Sequence, residues 1–351
     1  MKRLLLVFLG LAAPWLAQAE SASLVAQADQ KKIHGDFQGA LADYSQSLAQ
    51  DPKNVGAWLG RGSVRSLQGD YSGAIADDTR AIALDPKNAV AFSNRGNART
   101  FKGDFAGAMA DYNQAIALDP NHVLAFLNRG NIRNLQKQYA AAIADYTQAL
   151  TLDPKNAAAW YNRAGTRRAL ADYTGAAADY SQALALNPVD VPAYLNRAVL
   201  RIAQRDWVGA TADLQKTLNL VPEERQAYPR IYLWVVETEE TQSKQARDEL
   251  TQYLGETRKT FAATWGFEIA KFLAGQETEQ VFLASAKSLA AKKDRGQVAQ
   301  SFYYAGLKRL LAGNGKGAAK FLHQCQAAGN PALHEFILAR EELKTLEEPA
   351  K

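Results

Sequence analysis

Few residues of this 351-residue chain have the types and spacing that catalysis requires. The single cysteine, Cys325, lies two residues after His323, and on a helix this spacing directs the two side chains to different faces. We therefore expect a buried structural thiol instead of a cysteine–histidine nucleophile. Adjacent carboxylates such as Asp77 and Asp78 are expected to be solvated.

The sequence as a whole predicts neither an enzyme nor a bound cofactor or metal. No glycine-rich phosphate loop, nucleophile elbow or metal-spaced pair of histidine and glutamate occurs in the sequence. With one cysteine and four histidines, a cysteine-rich zinc cluster cannot be assembled. The composition, 47% hydrophobic and 22% charged, is that of a folded protein and excludes a disordered chain or a multi-span membrane protein.

The N-terminal residues have the features of an export signal. Lys2 and Arg3 precede an apolar run at 4–13, and the small residues at 17–19 form an A-x-A cleavage site. The run is shorter than the roughly 20 residues that cross a membrane, so no stable anchor is expected. Glu20 follows the site where a lipoprotein needs cysteine. The sequence therefore predicts a cleaved signal at 1–19 and a periplasmic or extracellular protein.

The net charge gives little support for a nucleic-acid ligand. The formal charge is +5, and two of the positive charges lie in the segment that we expect to be removed. A remainder of about +3 is too small to indicate nucleic-acid binding.

A 34-residue period dominates the chain from 21 to 224. A proline recurs at this spacing, at Pro52, Pro86, Pro120, Pro154, Pro188 and Pro222. A fixed period of this size indicates a solenoid built from repeated helical units. The period divides the chain into six blocks: 21–54, 55–88, 89–122, 123–156, 157–190 and 191–224.

Each block also repeats its large and small residues. In the third block these are Phe92, Gly96, Ala108, Tyr112, Ala115 and Pro120. This pattern resembles the tetratricopeptide repeat. The resemblance implies an all-α protein, a solenoid of antiparallel helix pairs stacked into a right-handed superhelix with a concave groove, with the six blocks together spanning 20–224.

The period fades after residue 224, although apolar residues keep helical spacing. Phe302, Gly306, Ala318 and Leu322 retain the spacing of the repeat. We therefore expect 225–351 to form a degenerate, repeat-like helical region whose last helix caps the array.

Three stretches of this C-terminal region, 265–275, 300–304 and 334–336, resemble the NlpI family of bacterial envelope lipoproteins. The resemblance implies a periplasmic adaptor that brings proteases and cell-wall enzymes together.

Blocks two to six each place two arginines four residues apart on the first helix, which puts both on one face. One interpretation is structural: the first arginine pairs with an aspartate in the middle of the second helix, such as Asp77 or Asp111. Each of these blocks has two such arginines and one such aspartate, so the second arginine is expected to have no aspartate partner. The second arginines are thus candidates for a positive stripe that binds an anion or carboxylate: Arg65, Arg99, Arg133 and Arg167.

Asparagines lie beside the arginines, at positions that face the groove in the family that the blocks resemble. They are Asn94, Asn97, Asn128, Asn131, Asn162 and Asn196. An amide both donates and accepts, which suits the backbone of an extended peptide; the alternative is that these residues only solvate an exposed helix face. Apolar anchors on the same surface are predicted at Leu59, Leu127, Tyr161 and Leu195.

Together these features predict an exported scaffold that binds protein or peptide partners in its groove. Two alternatives stay open. One is a binding protein for an anionic envelope polymer such as peptidoglycan fragments. The other is a self-assembly module in which the end repeats of two chains stack into a homo-oligomer.

Overall fold

The computed structural model describes residues 2–239, 243–261, 264–290, 295–328 and 333–347, and every regular element in these ranges is a helix. The chain forms two compact units, unit 1 at Met1–Ala159 and unit 2 at Trp160–Lys351. In the described residues no helix has both the length and the apolar character needed to cross a membrane. The side chains of 1–17, which make up most of the predicted signal, lie outside the described part.

Unit 1 is a stack of helix pairs in which each block supplies a first and a second helix. The two helices of a block pack on each other, and the first helices of successive blocks also contact one another. The helices are α1 Lys2–Ile33, α2 Phe37–Gln50, α3 Val55–Leu67, α4 Tyr71–Leu84, α5 Ala89–Phe101, α6 Phe105–Leu118, α7 Val123–Leu135 and α8 Tyr139–Leu152.

Side-chain caps start these helices where the block pattern places them. Asp104 accepts a hydrogen bond from the Gly107 backbone N–H at 2.9 Å at the start of α6. Asn88 accepts one from the Ala91 N–H at 3.0 Å at the start of α5. Such caps contribute about 1 kcal/mol each, so Asp and Asn residues fix where the helices from α2 to α6 begin. The next two helices, α7 and α8, follow His122 and Gln138 and begin without a side-chain cap.

The interior of unit 1 depends on a close approach between glycine and tyrosine. The Tyr112 ring in α6 packs on α5 at Gly96, where a Cβ atom would lie 2.8 Å from the ring. Gly130 and Tyr146 repeat this arrangement one block later. On α5 and α7 the predicted small residue is therefore required by the ring on the second helix of its block.

The turn between the two helices of a block uses one left-handed residue. Gly103 has φ +80° at this position, whereas Lys137, Ala171 and Arg205 adopt φ 61°, 64° and 59° at the equivalent positions of later blocks. This conformation costs a residue with a Cβ atom about 1–2 kcal/mol. The later blocks therefore carry local strain that the earlier blocks avoid.

Unit 2 begins within α9 Ala157–Ala169 and includes a 3₁₀ turn at Glu223–Arg225. Its remaining helices are α10 Tyr173–Leu186, α11 Val191–Ala203, α12 Trp207–Leu220, α13 Ala227–Glu239, α14 Ser243–Phe261, α15 Trp265–Leu273, α16 Glu279–Ala290, α17 Arg295–Leu311, α18 Gly315–Ala327 and α19 His334–Glu347.

One hydrophobic core joins the C-terminal helices of unit 2 to the last block. Val199 of α11 and Leu214 of α12 belong to the same buried cluster as Ile231, Phe272 and Tyr303 from the helices after residue 225. The described part of 225–351 therefore shares its interior with block six.

The last helix, α19, does more than the predicted cap. It packs on α17 and α18 and also on α11. Its buried Glu335 accepts hydrogen bonds from the Tyr232 and Tyr304 hydroxyls, both at 3.0 Å, and from the Gln300 amide at 3.1 Å. This network holds α19 against two other helices of the unit.

The strained turns give a stability prediction. Replacing Ala171, which has φ 64°, with glycine should raise the free energy of unfolding by about 1 kcal/mol, because glycine adopts this conformation without steric cost. The reverse change, Gly103→Ala, should lower it by a similar amount. Urea unfolding followed by circular dichroism measures both; an Ala171→Gly variant less stable than wild type would contradict the strain argument.

Candidate functional site

Both arginines of each block bind one buried aspartate. In the third block Arg95 donates to Asp111 from Nε (3.1 Å to Oδ2) and Nη2 (2.8 Å to Oδ1), and Arg99 Nη1 donates to Oδ2 at 2.8 Å. Asp111 is only 3% exposed. The same arrangement forms around Asp77, Asp145, Asp179 and Asp213.

The first arginine also connects to the aromatic residue of its block and to the block before. The Arg95 guanidinium lies over the Phe92 ring, 5.5 Å from its centroid. Its Nη1 atom donates to the Thr79 hydroxyl on α4 at 3.2 Å. Arg129 makes the corresponding contact with Asn113 at 2.7 Å. Each of these two clusters therefore links three helices.

These contacts contradict the expectation that the second arginine of each block has no aspartate partner. A carboxylate offers two oxygens with about four acceptor sites, so one aspartate can satisfy both guanidinium groups. The Nη1 atoms of Arg65, Arg99, Arg133 and Arg167 lie 2.7–2.9 Å from the aspartate oxygens. The structural pairing is what the structure shows for both arginines, and binding of a partner by the second arginines stays a prediction.

The asparagines of unit 1 lie on one accessible side of its first helices. We call this side the first-helix face. On α3, α5 and α7 it carries Ser63, Asn94, Asn97, Asn128 and Asn131. Asn97 and Asn131 are exposed, and Asn94 and Asn128 are half-buried. Their amides connect to one another and to the interior. Asn97 Oδ1 accepts from Asn128 Nδ2 and from the Tyr112 hydroxyl, both at 3.3 Å, and Asn131 Oδ1 accepts from the Tyr146 hydroxyl at 2.9 Å.

In unit 2 the corresponding residues face the chain's own last helix. Asn196 donates to the Tyr161 hydroxyl at 3.1 Å, and its Oδ1 lies 3.0 Å from Arg168 Nη1 and 2.9 Å from His334 Nε2. Asn196 is therefore in contact with α19 of the same chain, and binding of a partner by Asn196 and Tyr161 stays a prediction. Asn162, on α9, also has contacts within the protein.

The contacts of α19 within unit 2 account for its position against α11. Ile337 is buried in a cluster with Tyr173, Tyr180 and Leu200. Arg340 donates to the Tyr173 hydroxyl and lies over its ring. Burial lowers the pKa of His334 to about 3, so the imidazole stays neutral beside Asn196 at ordinary pH. Apolar burial and neutral hydrogen bonds both hold the helix in place.

The predicted apolar anchors are only partly accessible. Leu127 is 8% exposed, Leu195 packs against the core of unit 2, and Leu59 is half-buried. Leu127 is therefore largely covered and Leu195 is partly buried, and binding of a partner by these residues stays a prediction.

A different apolar row is exposed on unit 1 and was missed by sequence reasoning. It comprises Ile33, Leu67, Phe101 and Leu135, which are 63–72% exposed. Each residue ends the first helix of its block, and the four are 34 residues apart. That spacing is visible in the sequence, but only the structure shows that most of each side chain is exposed.

A cavity of about 380 Å³ opens on the first-helix face between α3 and α5. Its walls include Ser63, Asn94, Asn97 and Phe101. Gly62 and the carboxyl of Asp78 also line it, and a Cβ atom on Gly62 would lie 2.9 Å from Asp78 Oδ1. We call this cavity the Asp78 slot.

Asp78 itself is buried, which corrects the expectation of solvated carboxylates. Asp77 and Asp78 are 2% and 1% exposed. Burial, reinforced by the neighbouring charge of Asp77, raises the pKa of Asp78 to about 8. Among the described residues Asp78 Oδ1 has no hydrogen-bond partner.

Family comparisons agree with this architecture. Tetratricopeptide repeat models match residues 26–89, 123–156 and 161–227, and a further TPR repeat model matches 96–135. Together they cover more than half of the chain. The chain belongs to the tetratricopeptide repeat family. No curated protein matches it.

Solved structures of other proteins resemble this chain. PilW, described as a type IV pilus biogenesis factor, has 22% identity and a TM-score of 0.52, covering 56% of this chain and 91% of its own. PilF of Pseudomonas aeruginosa has 18% identity and a TM-score of 0.51, with 61% and 95% covered. A tetratricopeptide repeat protein of Parabacteroides merdae has 19% identity and a TM-score of 0.49, with 73% and 98% covered. At these identities the first two show a common fold.

Cys325 and His323 do not form a nucleophile–base pair. Cys325 is buried, as predicted, and burial raises the pKa of its thiol to about 12. His323 is exposed and pairs with Glu347 at 2.9 Å. No group of three potential metal ligands occurs in the part of the chain that the structure describes.

The shared carboxylate gives the second prediction. Replacing Asp111 with asparagine should lower the free energy of unfolding by about 3 kcal/mol, because two guanidinium groups then lose the charge that balances them. The matched control is Asp119→Asn, which removes the same charge from a turn where Asp119 accepts from the Asn121 N–H. Its cost should stay near 1 kcal/mol or less. Equal costs in chemical denaturation would show that the cluster is not a structural centre.

Proposed function

We propose that this tetratricopeptide repeat protein is an exported scaffold that binds extended segments of partner proteins along the first-helix face of unit 1. The observation that supports this most is the exposed apolar row at Leu67, Phe101 and Leu135, beside accessible asparagine amides. Contiguous exposed apolar surface with a polar border is typical of an interaction site.

The two kinds of residue suit an extended polypeptide. An extended segment exposes backbone N–H and C=O groups along its length and alternates its side chains between two sides. Amides such as that of Asn97 can pair with that backbone, and the apolar row can receive side chains on one side. Binding would then depend on many modest contacts spaced by the helix repeat.

Unit 2 supports a polypeptide ligand from inside the same chain. There the first-helix asparagine Asn196 and the tyrosines near it contact α19, a segment of protein, through hydrogen bonds and apolar burial. The two repeated arginines of blocks two to six are paired with aspartate, so they do not form a free positive stripe for an anionic polymer. A protein segment is therefore the ligand that the contacts favour.

Export and envelope partners complete the proposal. Lys2, Arg3 and the apolar run at 4–13 support export, and the C-terminal resemblance to the NlpI family supports partners among envelope proteases or cell-wall enzymes. The chain would act by holding such proteins together, with no chemistry of its own.

Selection from a displayed library of random peptides tests the binding surface. The wild-type chain should enrich a defined set of peptides, and Leu67→Ser, Phe101→Ser and Leu135→Ser combined should reduce their binding at least tenfold. The matched control is Val90→Ser with Leu124→Ser, which removes exposed apolar side chains, 50% and 55% exposed, at the other end of the first helices. Equal losses in both variants, or no enrichment by the wild type, would refute the proposed surface.

Export has its own test. The chain expressed in a bacterium should be recovered from the periplasmic fraction, with Glu20 as the N-terminal residue by sequencing. Replacing Ala17 and Ala19 with aspartate should leave the longer precursor associated with the membrane, because the cleavage site requires small residues. An intact N-terminus in the cytoplasm would contradict export.

A further inference from the structure

Asp78 stands where the other blocks carry a large apolar or aromatic residue. The equivalent residues are Tyr44, Tyr112, Tyr146, Tyr180 and Leu214, and all are at most 1% exposed. In the third block the Tyr112 ring fills the space in front of Gly96. In the second block Gly62 has the same place, and Asp78 Oδ1 lies in front of it instead of a ring.

The Asp78 slot is therefore the space that the absent ring leaves. Its volume of about 380 Å³ exceeds the minor gaps of a packed protein interior. It opens on the first-helix face, where Ser63, Asn94 and Asn97 line it. A ligand that lies along that face would pass over the opening.

The chemistry of the slot is acidic at the base and apolar at one wall. Asp78 Oδ1 has no hydrogen-bond partner among the described residues, whereas the neighbouring Asp77 is bound by Arg61 and Arg65. The residues that line the cavity include no lysine, arginine or histidine. Asp78 carries the one carboxyl among them.

The charges around Asp78 also favour a cation. Asp77 and Asp111 act on it with negative charge, and Arg95 is the guanidinium that acts against them. Arg95 is engaged with Asp111 through two hydrogen bonds. A positive group that enters the slot would meet an unpaired carboxyl in a region of low dielectric, where charge pairs are strong.

The apolar wall suits an alkyl chain. The rings of Tyr71 and Phe101 stack with their centroids 5.0 Å apart, and both line the slot with Leu67. Lysine and arginine carry a charged group at the end of an apolar stem. In the slot the apolar stem would lie along the exposed residues Leu67 and Phe101, and the charged group would reach the buried Asp78.

We propose that the Asp78 slot binds the basic side chain, arginine or lysine, of the partner segment that lies on the first-helix face. This inference rests on the proposed function, because the slot adds a specificity determinant to that surface. The hydroxyl oxygen of Ser63 and the amide oxygen of Asn94 accept further hydrogen bonds from the bound head group.

Peptide pools test the specificity. Pools of heptapeptides carry arginine, lysine, citrulline, tyrosine or leucine at the centre and random residues elsewhere, and are applied to the full chain above pH 8, where Asp78 is ionised. The arginine and lysine pools should bind at least fivefold better than the citrulline and leucine pools. A preference for tyrosine, or no preference, would overturn the proposal.

Three variants assign the preference to the slot. Asp78→Asn keeps the cavity and removes the carboxylate, and Asp78→Tyr fills the cavity as Tyr112 does one block later; both should abolish the preference for basic pools. Asp119→Asn removes an equal charge outside the slot and should keep it. Because Asp78→Tyr restores the residue of four other blocks, it should fold with a Tm at or above that of the wild type, which keeps a loss of preference interpretable.

Titration with N-acetylarginine amide, with N-acetylcitrulline amide as control, separates this proposal from the proposed function. If peptides bind but neither they nor the arginine amide respond to Asp78→Tyr, the surface stands and the slot is refuted. If no peptide binds while the arginine amide binds only in the presence of Asp78, the slot stands and the peptide scaffold fails. If neither binds, both are refuted.

Discussion

The aspartate that two arginines share is the interaction on which the rest of this protein depends. In each of blocks two to six it joins the first helix to the second, and the first arginine continues to the aromatic residue beside it. A buried ionic cluster adds little net stability, because removing three charges from water offsets their attraction. It excludes alternative registers, however, since any slip of one helix along the other would leave a buried charge alone. The repeated cluster therefore fixes the spacing of the first helices, and with it the spacing of every residue on their outer side.

Because both arginines of each cluster are bound within the protein, the residues that recur on the first-helix face of unit 1 are neutral. Amides and apolar side chains recur there every 34 residues, as Asn97 and Asn131 or Phe101 and Leu135 illustrate. One block breaks the pattern. A carboxyl at Asp78 replaces a packed ring at the cost of a cavity and a desolvated acid, and local rules of packing are broken in this way mainly where function requires it.

Unit 2 uses the same helix pairs differently. Its own α19 lies against α11, held by Ile337, by His334 at Asn196 and by the buried Glu335 network. The pKa of His334 is lowered by burial, so the imidazole beside Asn196 is neutral at ordinary pH. In unit 2 the surface that carries the asparagine is thus part of the interior, whereas in unit 1 it is accessible.

The sequence by itself determined the helix pairs, their family and the residues that start, turn and stop each helix, because these features are local and recur at a fixed period. It also indicated the pairing of the first arginine with the aspartate sixteen residues later. It could not show that one carboxylate serves two arginines, since this depends on where both guanidinium groups lie in space. Nor could it show that Leu127 is covered while Leu135 is exposed, that α19 lies against Asn196, or that the change from tyrosine to Asp78 opens a cavity. Those outcomes depend on which helices become neighbours, and only the tertiary structure decides which side chains they cover.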